Sequence, residues 1–439
     1  MKANIAGSLL IAAALSTTGF IRVQGAPPPP QGAPPQGAPP QGGPPQGGPP
    51  PAQQTAVRPH QHPPHPGDGT RNPLQPRFGD PLPGLSPALM AAWKDGRDEF
   101  EQVETVASGL GPIFNGVSCV ACHNGPATGG SSTTTVTRFG ALINGVFDPL
   151  TALGGSLLQA FAIRPDAVEI VPPQANVVAH RQSTPLFGLG LVEAIPDATI
   201  LANVKVAPVN GVLGKEAMIT DVVSGTQRVG RFGWKAQQAT VLAFAADAYL
   251  NEMGITNRFF PTENAPNGNT ALLAQLDTVA DPEDTVDPAT GKSDIDKVTD
   301  FMTLLAPPPP VPLSPSAALG RNLFNQVNCH QCHTPVMFTG PNAIPALNSK
   351  PVHLWSDLLL HDMGSLGDGI VQSAAGAREM KTSPLWGLRA SAPYLHDGRA
   401  PTVDAAIRAH DGEGVVSRNQ YIALPPAQKQ QLIDFVLSL

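Results

Sequence analysis

The sequence predicts a mainly α fold made of two related halves, with irregular loops and a few short strands. Three observations support this prediction: a five-residue motif occurs twice, matching segments flank each copy, and each half ends in an apolar helical repeat. With 439 residues, the chain is long enough for two or three domains with a sizeable core. The net charge of −7 gives no sign of a basic face, so we expect no nucleic-acid partner.

Residues 1–26 have the pattern of an export signal. Lys2 supplies a positive start, residues 5–15 are apolar, and small residues lead to a cleavage site after Gly25 or Ala26. We therefore expect a periplasmic protein. An uncleaved membrane anchor is the alternative, but the apolar run is short and rich in alanine, glycine and serine. No other apolar run is long enough to span a bilayer, so we expect no membrane span in the mature chain.

Residues 27–71 form a tail of low sequence complexity. The unit PPQGA or PPQGG occurs four times in residues 27–51. Proline at this density favours extended polyproline II, while glycine removes stiffness and neither buries a core. We expect a disordered linker. His60, His62 and His65 near its end could bind a metal, but a solvated linker is the favoured interpretation.

All four cysteines lie in two copies of one motif, CVACH at residues 119–123 and CHQCH at residues 329–333. Both read C-x-x-C-H, the attachment motif of haem c. Two thiols at this spacing add across the two vinyl groups of a haem, and the next histidine ligates the iron. The cysteines that would form the thioethers are Cys119, Cys122, Cys329 and Cys332. His123 and His333 are then the proximal iron ligands, and His330 is a bystander.

Three other interpretations of the cysteines compete with haem attachment. They could form one zinc site with four cysteine ligands, two disulfides, or a thiol redox pair. None of these requires a histidine directly after each pair, and the two pairs are far apart in the sequence. The sequence therefore predicts two covalently bound haem c groups.

The segments around the two motifs also match, which predicts an internal duplication. Before the motifs stand GRDEFEQV (96–103) and GRNLFNQV (320–327), and after them stand TPLFGL (184–189) and SPLWGL (383–388). Helical repeats close the halves at 296–305 and 429–439. This order is that of a cytochrome c domain, in which an opening and a closing helix pack above the haem. We expect cytochrome c-like domains at 72–306 and 313–439, joined by the proline-rich segment LAPPPPVP.

The second haem has a candidate sixth ligand in the segment APYLHDGRAPTVDAAIRAHDGEG (392–414). Thr402 can cap a helix that carries His410 near its end. Other candidates are His361, Met363, Met380 and His396. His410 could instead be a surface histidine near a helix end.

The first haem is expected to be open on one face. Aligning PTVDAAIRAH with ATVLAFAADA places Ala248 opposite His410, or Tyr249 if the alignment shifts by one residue. Peroxide cleavage at an open haem needs a polar group that moves a proton. Candidates for this catalytic role are Glu252 and Gln237, with Gln238 and His180 as rivals and Trp234 and Lys235 nearby.

The two halves together resemble the bacterial di-haem cytochrome c peroxidase superfamily. The segment TSPLWGLRASAPYLHDGRAPTVDAAI is similar to the signature of that superfamily after the second haem. The motifs GDPLPGL, GLGPIFNGVSCVACH, FGLGLVEAIP, GRFGWKAQ, EMGIT, DLLLHDMG and LHDGRAPT more closely resemble the di-haem oxidoreductases described as putative peroxidases or thiol oxidoreductase-like proteins. The resemblance covers about residues 79–439.

The resemblance implies two haem domains that face a shared interface. Hydrogen peroxide or another small oxidant would react at the first haem, and the second would relay electrons from a small c-type cytochrome or cupredoxin. A calcium ion between the domains would also fit the superfamily. The position after the HDG segment usually holds methionine in the peroxidases and tyrosine in relatives that modify tryptophan, whereas here His410 stands there. Bis-histidine ligation lowers the haem potential relative to His/Met ligation. A pure electron-transfer cytochrome, or an oxidase of a partner-protein side chain, are the alternatives.

Overall fold

Two pairs of packed helices organise the structure, a computed structural model that describes residues 76–281 and 284–439. The predicted export signal and the whole of the predicted linker lie outside the described residues. The helices are α1 (Pro87–Glu101), α2 (Leu189–Glu193), α3 (Asp197–Leu201), α4 (Val241–Ala248), α5 (Thr270–Leu276), α6 (Asp294–Leu304), α7 (Pro315–Gln326), α8 (Val403–Ala409), α9 (Val415–Ala423) and α10 (Pro426–Leu437).

The opening helices α1 and α7 begin in the same way. Ser86 accepts a hydrogen bond from the backbone N–H of Leu89 at 3.3 Å, and Ser314 caps α7 through the N–H of Ala317 at 3.1 Å. Each cap is followed by a proline, which is suited to the first helical position because its missing N–H is not needed there. Both helices therefore begin at a serine–proline pair.

Each opening helix crosses its closing helix at a glycine, α1 on α6 and α7 on α10. A Cβ on Gly96 would lie 2.0 Å from the carbonyl oxygen of Lys297. A Cβ on Gly320 would lie 1.8 Å from the carbonyl oxygen of Gln431. The backbones therefore approach so closely that only glycine fits at either crossing. This explains the glycine in both matching GR segments.

Aromatic packing follows four residues after each of these glycines. The ring centroids of Phe100 and Phe301 are 4.9 Å apart, and those of Phe324 and Phe435 are 5.5 Å apart. All four rings are buried. The matching phenylalanines thus hold the helix pairs together through tilted aromatic contacts, which add to the stabilisation from apolar burial.

A four-stranded sheet in the extra residues of the first half, together with short strands in both halves, makes the fold mixed. The strands are β1 (Ile113–Phe114), β2 (Thr135–Ile143), β3 (Val146–Asp148), β4 (Leu157–Leu158), β5 (Phe161–Ala162), β6 (Val177–Gln182), β7 (Met218–Thr220), β8 (Gln227–Val229), β9 (Met337–Phe338), β10 (Pro351–Val352), β11 (Leu360–Asp362) and β12 (Glu379–Lys381). Helices account for 34% and strands for 16% of the structure, so the expected mainly α fold is not confirmed.

The sheet is built around the long strand β2. β2 pairs antiparallel with β3, β4 and β6, and its register on β6 joins Val136 with Arg181 and Arg138 with Ala179. Side chains alternate between the faces of a strand, so Arg138 and Arg181 point to the same face of the sheet. The threonine and valine residues of β2 and β6 favour strands, because their branched side chains pack well on the surface of a sheet.

The hydrophobic core joins the two halves. The largest cluster contains helices α1, α4 and α6 and extends to Met337, Leu354 and Leu359 of the second half. A second cluster surrounds α7 and α10, centred on Phe324 and Leu432. Among the described residues, no helix is both long enough and apolar enough to cross a lipid bilayer.

Candidate cofactor site

Each C-x-x-C-H motif folds into one turn of 3₁₀-helix beside a cavity. The turns are Cys119–Ala121 and Cys329–Gln331. In each turn the backbone N–H of the motif histidine donates to the carbonyl of the first cysteine at 3.0 Å. This closed turn brings both cysteines and the histidine to one side, where they line the same cavity.

The two motifs line two cavities. The first cavity, about 180 Å³, contains Cys119, Cys122 and His123. The second cavity, about 300 Å³, contains the cysteines of the second motif and His333. All four thiols are free, and the pairs lie in separate cavities, so the geometry supports neither disulfides nor one zinc site with four cysteine ligands.

The motif histidines are held in the form that binds iron. Nδ1 of His123 lies 3.0 Å from the Gly130 carbonyl, and Nδ1 of His333 lies 3.0 Å from the Trp355 carbonyl. Because a carbonyl only accepts, Nδ1 carries the hydrogen and the unprotonated nitrogen is Nε2, as in many metal-binding histidines. Burial lowers the pKa of His123, and burial together with nearby His410 lowers the pKa of His333 to about 4. Both imidazoles are therefore neutral near pH 7.

His410 lines the second cavity together with His333. It stands at the C-terminal end of α8, a helix that Thr402 caps through the N–H of Ala405 at 3.1 Å. Nδ1 of His410 donates to the Ala406 carbonyl at 2.8 Å, which again leaves Nε2 unprotonated, and burial lowers its pKa. His333 and His410 thus form a pair of neutral histidines in the second cavity.

His361 is unsuited to the same role. Its Nδ1 lies 2.6 Å from Glu413 and its Nε2 lies 3.0 Å from Asp357, so both ring nitrogens donate to carboxylates. Burial opposes a charged ring, but the bonds to Asp357, Cys332 and Glu413 raise the pKa of His361 well above its usual value. His361, Asp357 and Cys332 form the one cluster of possible metal-binding atoms within the described ranges, yet an imidazolium has no lone pair for a metal.

The other predicted alternatives are also near the second cavity. Met363, Met380 and His396 all line it. His396 is buried, and its ring centroid lies 6.3 Å from that of Trp234 in an edge-on arrangement. His410 differs from these three because its hydrogen bond fixes the tautomer and because it acts electrostatically on His333.

Both predicted catalytic residues, Glu252 and Gln237, line the first cavity. Oε2 of Glu252 accepts a hydrogen bond from Nδ2 of Asn115 at 3.0 Å. Glu252 stands in a π-helical turn, Tyr249–Met253, that continues α4. Such wide turns are frequent at functional sites. Asp247, on α4 and five residues before Glu252, lines the cavity as well.

Asp247 is a carboxyl that the sequence analysis missed. Its signal was an acidic residue inside the apolar helix VLAFAADA. Burial raises the pKa of Asp247, partly offset by Arg138. Burial raises the pKa of Glu252 too, again against Arg138. Two carboxyls with raised pKa values therefore face one cavity, as expected for groups that hold and release protons.

The remaining predicted positions differ in whether they line a cavity. His180 is exposed on β6, with Nδ1 3.3 Å from the Thr137 hydroxyl, and does not line either cavity. Ala248 and Tyr249 line the first cavity, where the duplication predicted the counterpart of His410. Among the described residues that line the first cavity, His123 is the only histidine.

One wall separates the two cavities and lines both of them. Its shared residues are Gln182, Ser183, Thr184, Gly233, Trp234 and Phe244. The indole N–H of Trp234 donates to the Gln182 carbonyl at 2.8 Å. Beside it, Asp368 forms buried ion pairs with Arg181 at 2.7 Å and Lys235 at 2.9 Å. The wall is thus a rigid element with an aromatic ring between the cavities, a role the sequence did not reveal.

Comparison with known proteins identifies one matching family. The model of the family described as "Di-haem oxidoreductase, putative peroxidase" matches residues 173–439, more than half of the chain. A comparison with curated proteins gives no match.

Three solved structures are similar over long stretches. Hydrazine synthase of Kuenenia stuttgartiensis has 14% identity, with 83% of this chain and 90% of that chain covered and a TM-score of 0.38. The diheme peroxidase BthA of Burkholderia thailandensis has 13% identity, coverage of 81% and 86%, and a TM-score of 0.37. A MauG-like protein associated with microbial copper homeostasis has 16% identity, coverage of 58% and 89%, and a TM-score of 0.30. At these TM-scores the likeness carries no argument about chemistry.

Proposed function

The chain belongs to the di-haem oxidoreductase family, and from this premise we propose that it is an exported di-haem c-type peroxidase. Hydrogen peroxide would be reduced at the first haem, with electrons relayed by the second haem from a small c-type cytochrome or cupredoxin. The observation that carries this proposal is the difference between the two cavities. The second contains the pair His333 and His410, each with a hydrogen-bonded Nδ1 and an unprotonated Nε2, and the first contains one histidine and two protonatable carboxyls.

The residues present fit a haem in each cavity. Each cavity combines two free thiols at C-x-x-C spacing, an adjacent histidine with a fixed tautomer, and largely apolar walls. These features support covalent attachment through the four cysteines, with His123 and His333 as proximal ligands. The matching caps, glycine crossings and phenylalanines support two cytochrome c-like domains that arose by duplication.

The second cavity supports a closed, electron-relaying site. His333 and His410 both keep Nε2 unprotonated, and two histidine ligands leave no position for an oxidant. The first cavity lacks a second histidine among the residues that line it. Its methionines, Met253 and Met302, belong to the buried core cluster. An exogenous small molecule therefore fits the first cavity and not the second.

Residues of the first cavity supply the proton chemistry. When bound, haem supplies the iron at which the O–O bond is cleaved. Reduction of peroxide to two waters consumes two protons and two electrons. Asp247 and Glu252, with their raised pKa values, hold protons at the cavity wall, and Asn115 fixes the Glu252 carboxyl. Gln237 lines the same wall and can orient a polar ligand.

The shared wall supports electron transfer between the sites. Trp234 lines both cavities and is fixed by its bond to the Gln182 carbonyl and by the Lys381 N–H, which donates to the Trp234 carbonyl at 2.9 Å. A periplasmic location rests on residues 1–26 alone. We also propose that calcium binds between the halves, without assigning its ligands.

Turnover measurements test the proposal. The purified haem-loaded protein should consume peroxide with a reduced small cytochrome or cupredoxin, in a ratio of two electrons per peroxide. A protein that contains both haems but reacts with peroxide in no redox state would instead be an electron-transfer cytochrome. If the protein reacts with peroxide only once and slowly, and then oxidises a side chain of a partner protein, the oxidase alternative is favoured.

A further inference from the structure

One cationic side chain in the first cavity lacks a carboxylate partner. Of the two arginines that line it, Arg181 forms an ion pair with Asp368. The side chain of Arg138, on the same face of the sheet, makes no hydrogen bond or ion pair with the described residues, and its Nε is buried without a partner. Leaving a buried guanidinium Nε without a partner is unfavourable, so this side of the cavity suits a group that brings negative charge.

The second cavity repeats this arrangement with a lysine. Its two arginines have carboxylate partners, Arg231 with Asp197 and Arg418 with Asp411. The remaining cation, Lys381, has only the Thr382 carbonyl at 3.4 Å and forms no ion pair with the described residues. Burial lowers the pKa of Lys381 to about 8, against the attraction of Asp357, as expected for an ammonium without a contacting anion.

We propose that Arg138 and Lys381 each bind a propionate carboxylate of the haem in their own cavity. A haem carries two propionates, and a guanidinium or ammonium pairs with a carboxylate through charge-assisted hydrogen bonds. This inference rests on the proposed haem sites at His123 and His333. It assigns two residues that lie outside both C-x-x-C-H motifs.

The carboxyls near Arg138 do not replace a propionate. Asp247 and Glu252 act on it electrostatically but form no ion pair with it, and burial raises the pKa of each. Arg181 adds a second positive charge on the same side, shared with Asp368. A propionate would therefore meet two guanidinium groups and two carboxyls that burial favours in the neutral form.

The test compares single variants of the full-length, haem-loaded protein in a redox titration. Arg138→Gln should shift one of the two titration waves to lower potential. Removing a nearby positive charge stabilises the ferric haem, which carries one more positive charge, relative to the ferrous haem. Lys381→Gln should shift the other wave. We expect about a tenfold change in each equilibrium, or about 59 mV for one electron. Resonance Raman bands of the propionates should change in the same haem.

Charge-conserving and surface variants provide the controls. Arg138→Lys and Lys381→Arg should keep the waves near their wild-type positions. Arg164→Gln removes one positive charge from an exposed pair with Asp166 and should move neither wave. If Arg138→Gln retains no haem, the Raman spectrum of Arg138→Lys tests the inference instead. The propionate band should change when the guanidinium is replaced by an ammonium only if the propionate contacts this side chain.

Three results would overturn the inference. Both waves and both Raman spectra could stay unchanged in the Gln variants. Arg138→Gln could weaken azide binding to the first haem with no change in the propionate bands, which would place its anion on the open face of the iron. Both variants could also shift the same wave. A wild-type protein with fewer than two haems by pyridine haemochrome assay contradicts the proposed function instead.

Discussion

Replacement of His410 by alanine removes the one side chain that distinguishes the two cavities most clearly. The substitution deletes a hydrogen bond to the Ala406 carbonyl and leaves Thr402 capping α8 intact. One neutral hydrogen bond contributes about 1 kcal/mol, so the protein should remain folded. The proximal ligand His333 keeps its own bond to the Trp355 carbonyl. The change should therefore be confined to one haem of the two.

The spectroscopic change is expected to involve one of the two haems, which is half of the total haem iron. In the wild type, one haem should show the low-spin signal of two histidine ligands, and in His410→Ala that signal should disappear. Near-infrared magnetic circular dichroism identifies the ligand pair directly. His410→Met is the matched variant: it should keep a low-spin haem but raise its potential, because His/Met ligation favours the reduced iron. A bis-histidine signal that survives in His410→Ala would refute the ligand assignment.

Three further predictions test the site and the fold. Glu252→Gln should lower kcat for peroxide about 10²-fold or more, as expected for loss of a general acid–base group, while both haems remain bound in the haemochrome assay. Gly320→Ala should destabilise the protein by roughly 1–3 kcal/mol in urea unfolding, since its Cβ would lie 1.8 Å from a carbonyl oxygen; Gly116→Ala, with its nearest atom at 3.7 Å, is the control. His361→Gln should cost most stability between about pH 4.5 and 6.5, the ordinary pKa values of Glu413 and His361.

The pH window follows from the signs of the two shifts. The pKa of His361 is raised, so its stabilisation is complete below 6.5 and is lost as pH rises through the folded value. The pKa of Glu413 is lowered to about 2, so its stabilisation is present above 4.5 and is lost as pH falls towards 2. A difference between wild type and His361→Gln that does not vary with pH would contradict the ion pair.

Local features of the fold could be predicted from the sequence. Ser86 and Ser314 signal their helix starts because a serine followed by proline acts within one turn. The closing helices α6 and α10 follow from apolar periodicity. His410 was one of five candidate ligands in the second half, and comparing the two halves indicated Ala248 or Tyr249 at the matching position of the first half.

Features that depend on packing between distant segments could not be predicted. Arg138 lies in the cavity of the first motif because of the register of β2 on β6 in the four-stranded sheet. Asp247 on α4 and Glu252 in the π-helical turn that follows line the same cavity, and no propensity scale predicts that turn. Trp234 becomes part of a wall shared by both cavities only when the halves pack together.

The spin states of the two irons test the central claim most directly. Electron paramagnetic resonance of the fully ferric and the half-reduced protein, each before and after peroxide, distinguishes an open haem from a closed one. The asymmetry of the cavities predicts one low-spin haem in every state and one haem that becomes high-spin and reacts with peroxide. Two low-spin haems in all states, both inert to peroxide, would contradict it.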